Sequence, residues 1–208
     1  MIIDVVPKAA LMTVHQSMRE KPSWKELRDF VHSLAFLDGG HDEAFTLASG
    51  RKSRWFFDLK PVMMHPDSAR LIGSLINERL DQIQCDYVGG LELGAVPLTA
   101  IVVTENGNKS RQGFMIRKSD KGRGGRKTNN PPGVEGVALR EGGRVIILED
   151  VTTTGGSAIK AVQKIQDSTA CEVVGVISIV DREEGGAEAF EAAGIAFESL
   201  LSRSDISG

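Results

Sequence analysis

Short apolar runs alternate with amphipathic segments along most of the chain. Residues 145–148 and 173–180 are rich in β-branched side chains and are typical of buried parallel strands. Residues 67–80 and the segment that starts at Ala158 carry apolar side chains at helical spacing. Because strands alternate with helices, the pattern predicts an α/β fold with a doubly wound, mostly parallel sheet flanked by helices.

Further elements are predicted between these segments. We expect short strands at residues 87–90 and 113–116, and a helix over residues 97–103 that begins with a proline. Asp67 or Ser68 is expected to cap the N-terminus of the helix that runs to about Leu80, because short polar side chains can accept hydrogen bonds from its free N–H groups.

The N-terminal third is predicted to be a smaller unit. Residues 22–37 have the pattern of an amphipathic helix, and residues 45–47 and 55–58 have that of short strands joined by a tight polar turn. These strands are expected to form a small hood over a site. The predicted apolar face of the helix consists of Leu27, Phe30, Val31, Leu34 and Leu37.

The most informative segment, residues 145–157, joins a buried strand to a glycine-rich loop. Glu149 and Asp150 are expected at the carboxyl end of the strand, where open α/β sheets bind ligands. The loop supplies hydroxyls and backbone N–H groups at the start of a helix, which favours a phosphate. Since the acids would repel that phosphate, we expect sugar hydroxyls beside them. The predicted phosphate loop comprises Val151, Thr152, Thr153, Thr154, Gly155, Gly156 and Ser157.

Two common nucleotide-binding fingerprints are missing from the sequence. Neither Gly-x4-Gly-Lys-Ser/Thr nor Gly-x-Gly-x-x-Gly is present, so a mononucleotide kinase or a dinucleotide oxidoreductase is disfavoured. An ordinary strand-to-helix turn with surface acids is the simpler alternative. Two acids after an apolar strand, followed by a Thr/Gly/Ser loop, instead resemble the 5-phosphoribosyl 1-diphosphate (PRPP) motif of the type I phosphoribosyltransferases.

Two other segments resemble the orotate phosphoribosyltransferases within that family. Residues 45–58 are similar to the family's hood, which implies that Phe56 and Phe57 contact orotate, largely through the backbone. Arg182 ends a predicted strand after an aspartate, as in these enzymes, which implies that it faces the orotate carboxylate. Its planar fork suits that group. Thr153 is also expected to contact orotate.

Simpler interpretations exist for both segments. An aromatic strand is more often part of a core than of a binding site. Arg182 could instead form a surface ion pair with Glu183 or Glu184.

A segment of about residues 117–135 carries six cations within eleven residues, opposed only by Asp120. A solvated charged loop is the ordinary explanation. However, the segment falls where the family carries its mobile catalytic loop, and the spacing of Arg117-Lys-Ser-Asp-Lys121 is similar. The resemblance assigns PRPP contacts to Arg117, Lys118, Lys121 and Arg123, and catalysis to Lys118, Lys121, Glu149 and Asp150.

Three positions depart from the family pattern. Ala48 and Leu93 replace lysines that are common in the family, and Arg123 replaces a common histidine. The turn at residues 89–97 is therefore expected to bind pyrophosphate through backbone N–H groups. Because alanine at position 48 has no charge to offer PRPP, Lys52 is one candidate for a cation that takes over that role.

Composition narrows the range of partners and compartments. The 208 residues, 41% of them hydrophobic, suit one compact α/β domain with minor additions. A net charge of -3 argues against a general nucleic-acid binder. No apolar run approaches membrane-spanning length and no charged leader precedes the first apolar residues, so we expect a cytoplasmic protein without membrane partners. Cys85 and Cys171 are expected to be free thiols, and the histidines lack the spacing of metal ligands.

The expected organisation is an N-terminal extension over residues 1–21, a helix and hood over residues 22–65, and an α/β core over residues 66–208. The resemblance implies an enzyme that converts orotate and PRPP to orotidine 5'-monophosphate and pyrophosphate in UMP biosynthesis. It also implies Mg2+ as cofactor, held mainly by PRPP without a dedicated protein site, and a homodimer that shares the catalytic loop between subunits.

Two alternatives belong to other functional classes. A phosphoribosyltransferase for another nucleobase would share the PRPP motif but has little reason to carry the hood and Arg182. A non-catalytic PRPP-binding regulator would need a basic docking surface or a helix-turn-helix, and residues 1–40 show no convincing one.

Overall fold

The computed structural model describes residues 17–46, 50–107, 110–119 and 128–207. Helices and strands alternate along them, as predicted. In chain order the elements are α1 (Pro22–Leu34), β1 (Phe36–Asp38), β2 (Phe45–Thr46), β3 (Lys52–Ser53), β4 (Trp55–Phe57), α2 (Lys60–Met63), α3 (Pro66–Ile83), β5 (Tyr87–Leu91), α4 (Ala95–Thr104), β6 (Gln112–Ile116), β7 (Val134–Gly136), β8 (Arg144–Thr152), α5 (Gly156–Ser168), β9 (Glu172–Asp181), α6 (Gly186–Ala192), β10 (Phe197–Ser202) and α7 (Arg203–Ser207).

The described strands β5 to β10 form one six-stranded sheet in the order β10-β9-β8-β5-β6-β7. Every neighbouring pair is parallel except β6 and β7, which are antiparallel. The predicted doubly wound, mostly parallel sheet is therefore confirmed. The central position of β8 places its carboxyl end, with the acids and the phosphate loop, in the middle of one sheet edge, where ligands of open α/β sheets bind.

The sheet separates two apolar cores because successive residues of a strand point to opposite faces. Ile146 and Leu148 of β8 belong to one core together with residues of α1, α3 and α4, such as Leu98. Val145 and Ile147 belong to the other core with residues of α5 and α6. Helices cover both faces, which explains why the first part of β8 is a continuous apolar run.

The first helix is shorter than predicted. α1 ends at Leu34, and residues 36–38 form β1, which pairs antiparallel with β4. Leu27 and Val31 are buried as expected, whereas Leu34 and Leu37 are 41% and 54% exposed. Backbone pairing with the aromatic strand therefore takes precedence over continuation of the helical pattern.

The hood is present, but its strands pair differently from the prediction. β2 pairs with β3, within the segment that was expected to be a turn, and β4 pairs with β1 instead of β2. The side chains still make a connected unit, since the rings of Phe45 and Phe56 lie 5.7 Å apart and those of Phe36 and Phe57 lie 5.1 Å apart.

Several local expectations can be compared directly. The helix predicted from residue 67 begins one residue earlier as α3, and its N-terminus has no side-chain cap. Ser68 instead donates its hydroxyl to the carbonyl of Val62 at 2.6 Å. Cys85 and Cys171 are free thiols, each partly buried. Among the described helices, none combines the length and the apolar character needed to cross a bilayer.

Candidate active site

The phosphate loop is the sharp turn between β8 and α5. The apolar strand was predicted over residues 145–148 with the acids at its carboxyl end, but β8 extends through Thr152, so Glu149 and Asp150 lie within its last part. Gly155 occupies the N-cap of α5 with φ +74°, a conformation that costs a residue with a side chain more than it costs glycine. α5 has 13 residues, and its free N-terminal N–H groups and dipole favour an anion at this turn.

The loop is packed tightly from below. A Cβ atom on Gly155 would lie 3.2 Å from the ring of Phe190, and one on Gly186 would lie 2.4 Å from the methyl group of Thr152. The hydroxyl of Thr152 is buried and has no hydrogen-bond partner among the described residues. The turn is thus held against α6, with an unused polar atom at the end of β8.

One cavity of about 260 Å³ collects most of the predicted site residues. The hood and the phosphate loop form two of its walls, and Arg182 at the end of β9 contributes a third. Eleven residues line it: Phe56, Phe57, Glu149, Val151, Thr152, Thr153, Thr154, Gly155, Gly156, Ser157 and Arg182. All of them were predicted to bind PRPP or orotate, so segments separated by about a hundred residues meet as expected.

The surroundings of Glu149 near the end of β8 favour its protonated form. Burial, together with the charge of neighbouring Asp150 and a hydrogen bond to its carboxylate, raises the pKa of Glu149 to about 8. The ammonium of Lys118 acts in the opposite direction, which places this predicted loop cation within electrostatic reach of Glu149. The Glu149–Asp150 pair therefore holds a proton near neutral pH. Hydrogen bonds donated by sugar hydroxyls, or a bound cation, could stabilise the pair in place of that proton.

The turn after β5 approaches the acids closely. A Cβ atom on Gly94 would lie 2.3 Å from the carboxylate of Asp150, so only glycine leaves that carboxylate in place. The peptide bond between Glu92 and Leu93 is cis. This turn lies beside Asp150. Leu93 is 65% exposed.

The two ends of the predicted catalytic loop are fixed to the sheet. Arg117 N donates to the carbonyl of Gly133 at 2.9 Å, and its guanidinium Nη1 lies 3.1 Å from Glu135 Oε1. The backbone N–H of Lys118 donates to the carboxylate of Glu92 at 2.8 Å. Arg117 does not line the cavity. Lys121 and Arg123, and the rest of residues 120–127, lie outside the described residues.

Arg182 is held in the wall between the hood and β9. Arg182 is only 3% exposed, and its backbone N–H donates to the carbonyl of Thr152 at 2.9 Å. Its guanidinium lies 5.9 Å from the centre of the Phe57 ring. The predicted surface ion pair with Glu184 exists at 2.7 Å, but it is largely buried and lies at the cavity. The two interpretations of Arg182 are therefore compatible.

Two contributors were not anticipated from the sequence. Lys60 donates to the carboxylate of Asp58 at 2.7 Å, and both Asp58 and Asp150 raise the pKa of its ammonium. Ser53 contacts Arg182 across the cavity wall at 2.9 Å. Neither has a motif of its own, because only the packing of the hood on the sheet brings them there. Lys52, the candidate replacement for a lysine at position 48, instead donates to Thr46 at 2.8 Å.

Comparison with known proteins identifies the family of the chain. A family model for the phosphoribosyl transferase domain matches residues 61–191. An orotate phosphoribosyltransferase of Rhodopseudomonas palustris (strain TIE-1) is 46% identical over 193 residues, covering 90% of this chain and 98% of its own. One from Bradyrhizobium sp. (strain ORS 278) is 47% identical over 188 residues, covering 88% and 96%.

A solved structure also aligns over nearly its whole length. The crystal structure of Mycobacterium tuberculosis H37Rv orotate phosphoribosyltransferase in complex with 5-phospho-alpha-D-ribosyl 1-diphosphate superimposes with a TM-score of 0.71 at 34% identity. The match covers 90% of this chain and 100% of that chain. The resemblance inferred from four short motifs therefore extends to the fold and to most of the sequence.

Proposed function

The chain belongs to the orotate phosphoribosyltransferases, and from that premise we propose that it transfers the 5-phosphoribosyl group of PRPP to N1 of orotate. The products are orotidine 5'-monophosphate and pyrophosphate, a step of pyrimidine biosynthesis. One observation carries the proposal: a single cavity joins the phosphate loop, Glu149, the hood aromatics and Arg182. A purine or uracil enzyme has no evident use for a buried arginine at this wall.

The 5-phosphate of PRPP is assigned to the loop between β8 and α5. Backbone N–H groups at the start of α5 and the hydroxyls of Thr153, Thr154 and Ser157 are its donors. The ribose hydroxyls donate to Glu149 and Asp150, which fixes the sugar between the phosphate loop and the turn at Gly94. Orotate lies between the hood strand β4 and Arg182, whose guanidinium pairs with its carboxylate.

The reaction displaces diphosphate from the anomeric carbon. As the bond from that carbon to the diphosphate oxygen breaks, positive charge develops on the ribose ring and negative charge on the leaving diphosphate. Arg117, Lys118, Lys121 and Arg123 supply positive charge for the leaving group. Orotate N1 forms the new bond from the opposite face, and its proton is lost to solvent, so no covalent enzyme intermediate is needed.

We assign Mg2+ as the cofactor because the donors around the cavity suit it. The acid pair and the loop hydroxyls are hard oxygen donors, and no group of three His, Cys, Asp or Glu within the described residues could form a protein cage. Glu149 and Asp150 would hold the ion through the ribose hydroxyls. A bound ion would neutralise diphosphate charge and polarise the bond that breaks.

The direct test is an assay of orotate consumption with PRPP and Mg2+, run beside hypoxanthine, xanthine, adenine and uracil. Consumption of orotate alone, with pyrophosphate released in equal amount, is the expected result. Turnover of another base would overturn the specificity while leaving the reaction type. PRPP binding without any turnover would instead identify a regulator, and omission of Mg2+ with added chelator is expected to abolish the activity.

We further propose that the enzyme is a homodimer in which the loop of one subunit serves the site of the other. Met64 is 71% exposed and Leu93 is 65% exposed, which leaves apolar area that a partner subunit could cover. To test loop sharing, a Lys121→Ala protein is mixed with an Asp150→Asn protein under conditions that exchange subunits. Recovered activity is expected, because one of the mixed sites then has both residues intact. No recovery despite demonstrated exchange would exclude loop sharing.

A further inference from the structure

One nitrogen of the Arg182 guanidinium, Nη2, contacts three hydrogen-bond acceptors. Nη2 lies 2.9 Å from the hydroxyl of Ser53, 2.9 Å from the carbonyl of Trp55 and 2.7 Å from Oε1 of Glu184. These three acceptors come from the hood and from the turn after β9. A guanidinium nitrogen of this type carries two hydrogens, so three acceptors saturate it.

A second donor of Arg182, Nε, is buried and has no hydrogen-bond partner within the described residues. Because an unpaired buried donor of a charged group costs free energy, the position of this guanidinium depends on the three acceptors of Nη2. Arg182 also lines the cavity beside Phe57. The side chain is therefore oriented through Nη2 at the cavity wall, where the proposed function places the substrate carboxylate.

Glu184 links this arginine to the hood through a second guanidinium. Its Oε2 lies 3.9 Å from Nη2 of Arg51, and its side chain is 15% exposed. The three side chains together carry two positive charges and one negative charge. The neighbouring acid Glu183 is engaged elsewhere, with Arg203 at 3.0 Å, so it does not change this balance.

We propose that Glu184 is a positioning residue that selects orotate by orienting Arg182, with Ser53 as the second side-chain acceptor. The inference rests on the proposed function, because it assumes that the base carboxylate is the anion. Glu184 does not touch the substrate. Its acceptor oxygen, and not its charge, is the functional element, since added negative charge beside the pocket would by itself oppose orotate.

The test compares three variants at the same turn. Glu184→Ala removes the acceptor, Glu184→Gln keeps an oxygen acceptor without the charge, and Glu183→Ala is the matched control. Steady-state kinetics are measured with orotate and PRPP each varied, beside the melting temperature. We expect Glu184→Ala to raise the KM for orotate about tenfold or more, as the loss of a charge-assisted hydrogen bond does, with the KM for PRPP and kcat little changed.

Glu184→Gln is expected to restore the KM for orotate to within about threefold of the original value, since it retains the acceptor. Glu183→Ala should leave both KM values unchanged. An unchanged orotate KM in Glu184→Ala, or equal rises in both KM values, would overturn the inference. If Glu184→Ala does not fold, Ser53→Ala and Glu184→Gln decide it, because Ser53→Ala must then raise the orotate KM alone. Absence of orotate turnover in the unsubstituted enzyme would instead overturn the proposed function.

Discussion

The phosphate loop and the wall of the cavity that we propose binds the base are built in different ways. Residues 149–157 are one continuous segment that runs from the end of a central strand to the start of a helix, whose free N–H groups face the turn. The wall that faces the base combines Ser53, Phe57, Arg182 and Glu184, which only tertiary packing brings together. Changes in the loop should therefore act on PRPP, and changes in the wall on orotate.

The largest loss of activity is expected from a substitution at Gly94, which lies against the Asp150 carboxylate. Gly94→Ala would place a Cβ atom 2.3 Å from the present position of the Asp150 carboxylate, which must then move. A displacement of about 1 Å at a reacting centre costs about a hundredfold in rate. We expect kcat/KM for both substrates to fall by that factor. Gly107→Ala controls for backbone strain outside the site, since φ there is +61° and a Cβ atom meets nothing within 4 Å.

Arg182→Ala tests the wall most directly. Loss of the charged hydrogen bonds to the base carboxylate should raise the KM for orotate about fiftyfold, while the KM for PRPP changes little. The substitution also leaves Glu184 without its nearest cation, so thermal stability should fall. A rise in the PRPP KM of the same size would show that the wall and the loop are not independent.

Gly155→Ala tests the loop. The residue has φ +74°, and its Cβ would lie 3.2 Å from the ring of Phe190, so the turn must shift or carry strain of about 1–2 kcal/mol. We expect the KM for PRPP to rise about tenfold with the KM for orotate nearly constant, measured by steady-state kinetics. An orotate KM that rises as much as the PRPP KM would contradict the separation.

The protonation of Glu149 should make PRPP binding depend on pH. Its pKa is raised to about 8, so it is mostly protonated at pH 7, and ribose hydroxyls donate best to the ionised form. PRPP affinity should therefore rise about fivefold from pH 7 to pH 8, with up to about one proton released per site. Calorimetry in buffers of different ionisation enthalpy measures that release, and Glu149→Gln should abolish it.

The same group affects stability with a defined sign. Between the ordinary value of 4.5 and the raised value of about 8, the folded state binds more protons at Glu149 than the unfolded state does. The free energy of unfolding contributed by this residue consequently falls as the pH rises through that window. Denaturant titrations at several pH values should show a smaller decline in Glu149→Gln than in the unsubstituted protein.

The smallest effect on substrate binding is expected from a substitution at Arg203, which packs on the hood outside the cavity. The guanidinium of Arg203 lies 4.4 Å from the centre of the Trp55 ring and pairs with Glu183, but it does not line the cavity. Arg203→Ala should lower the free energy of unfolding by about 1 kcal/mol, with less than about a twofold change in either KM. A selective rise in the orotate KM would extend the wall to α7.

How far the sequence predicts the structure differs between the two regions. β8, the turn after it and α5 follow from local apolar periodicity and glycine content, and these elements are confirmed except that the strand continues through Thr152. The hood strands were expected in nearly the right places, but with the wrong partners. Strand pairing depends on contacts between segments far apart in the chain, which local patterns do not encode.

By itself the sequence determined the sheet class, and it predicted the phosphate loop, the acid pair and Arg182 as site residues. These features depend on residue type and short-range spacing, and they suffice to recognise the family. The tertiary structure alone decided that Arg182 is oriented by Ser53 and Glu184, and that Gly94 gives Asp150 its space. The physical reason is that hydrogen-bond direction and close contact are set when distant segments pack, after local structure has been specified.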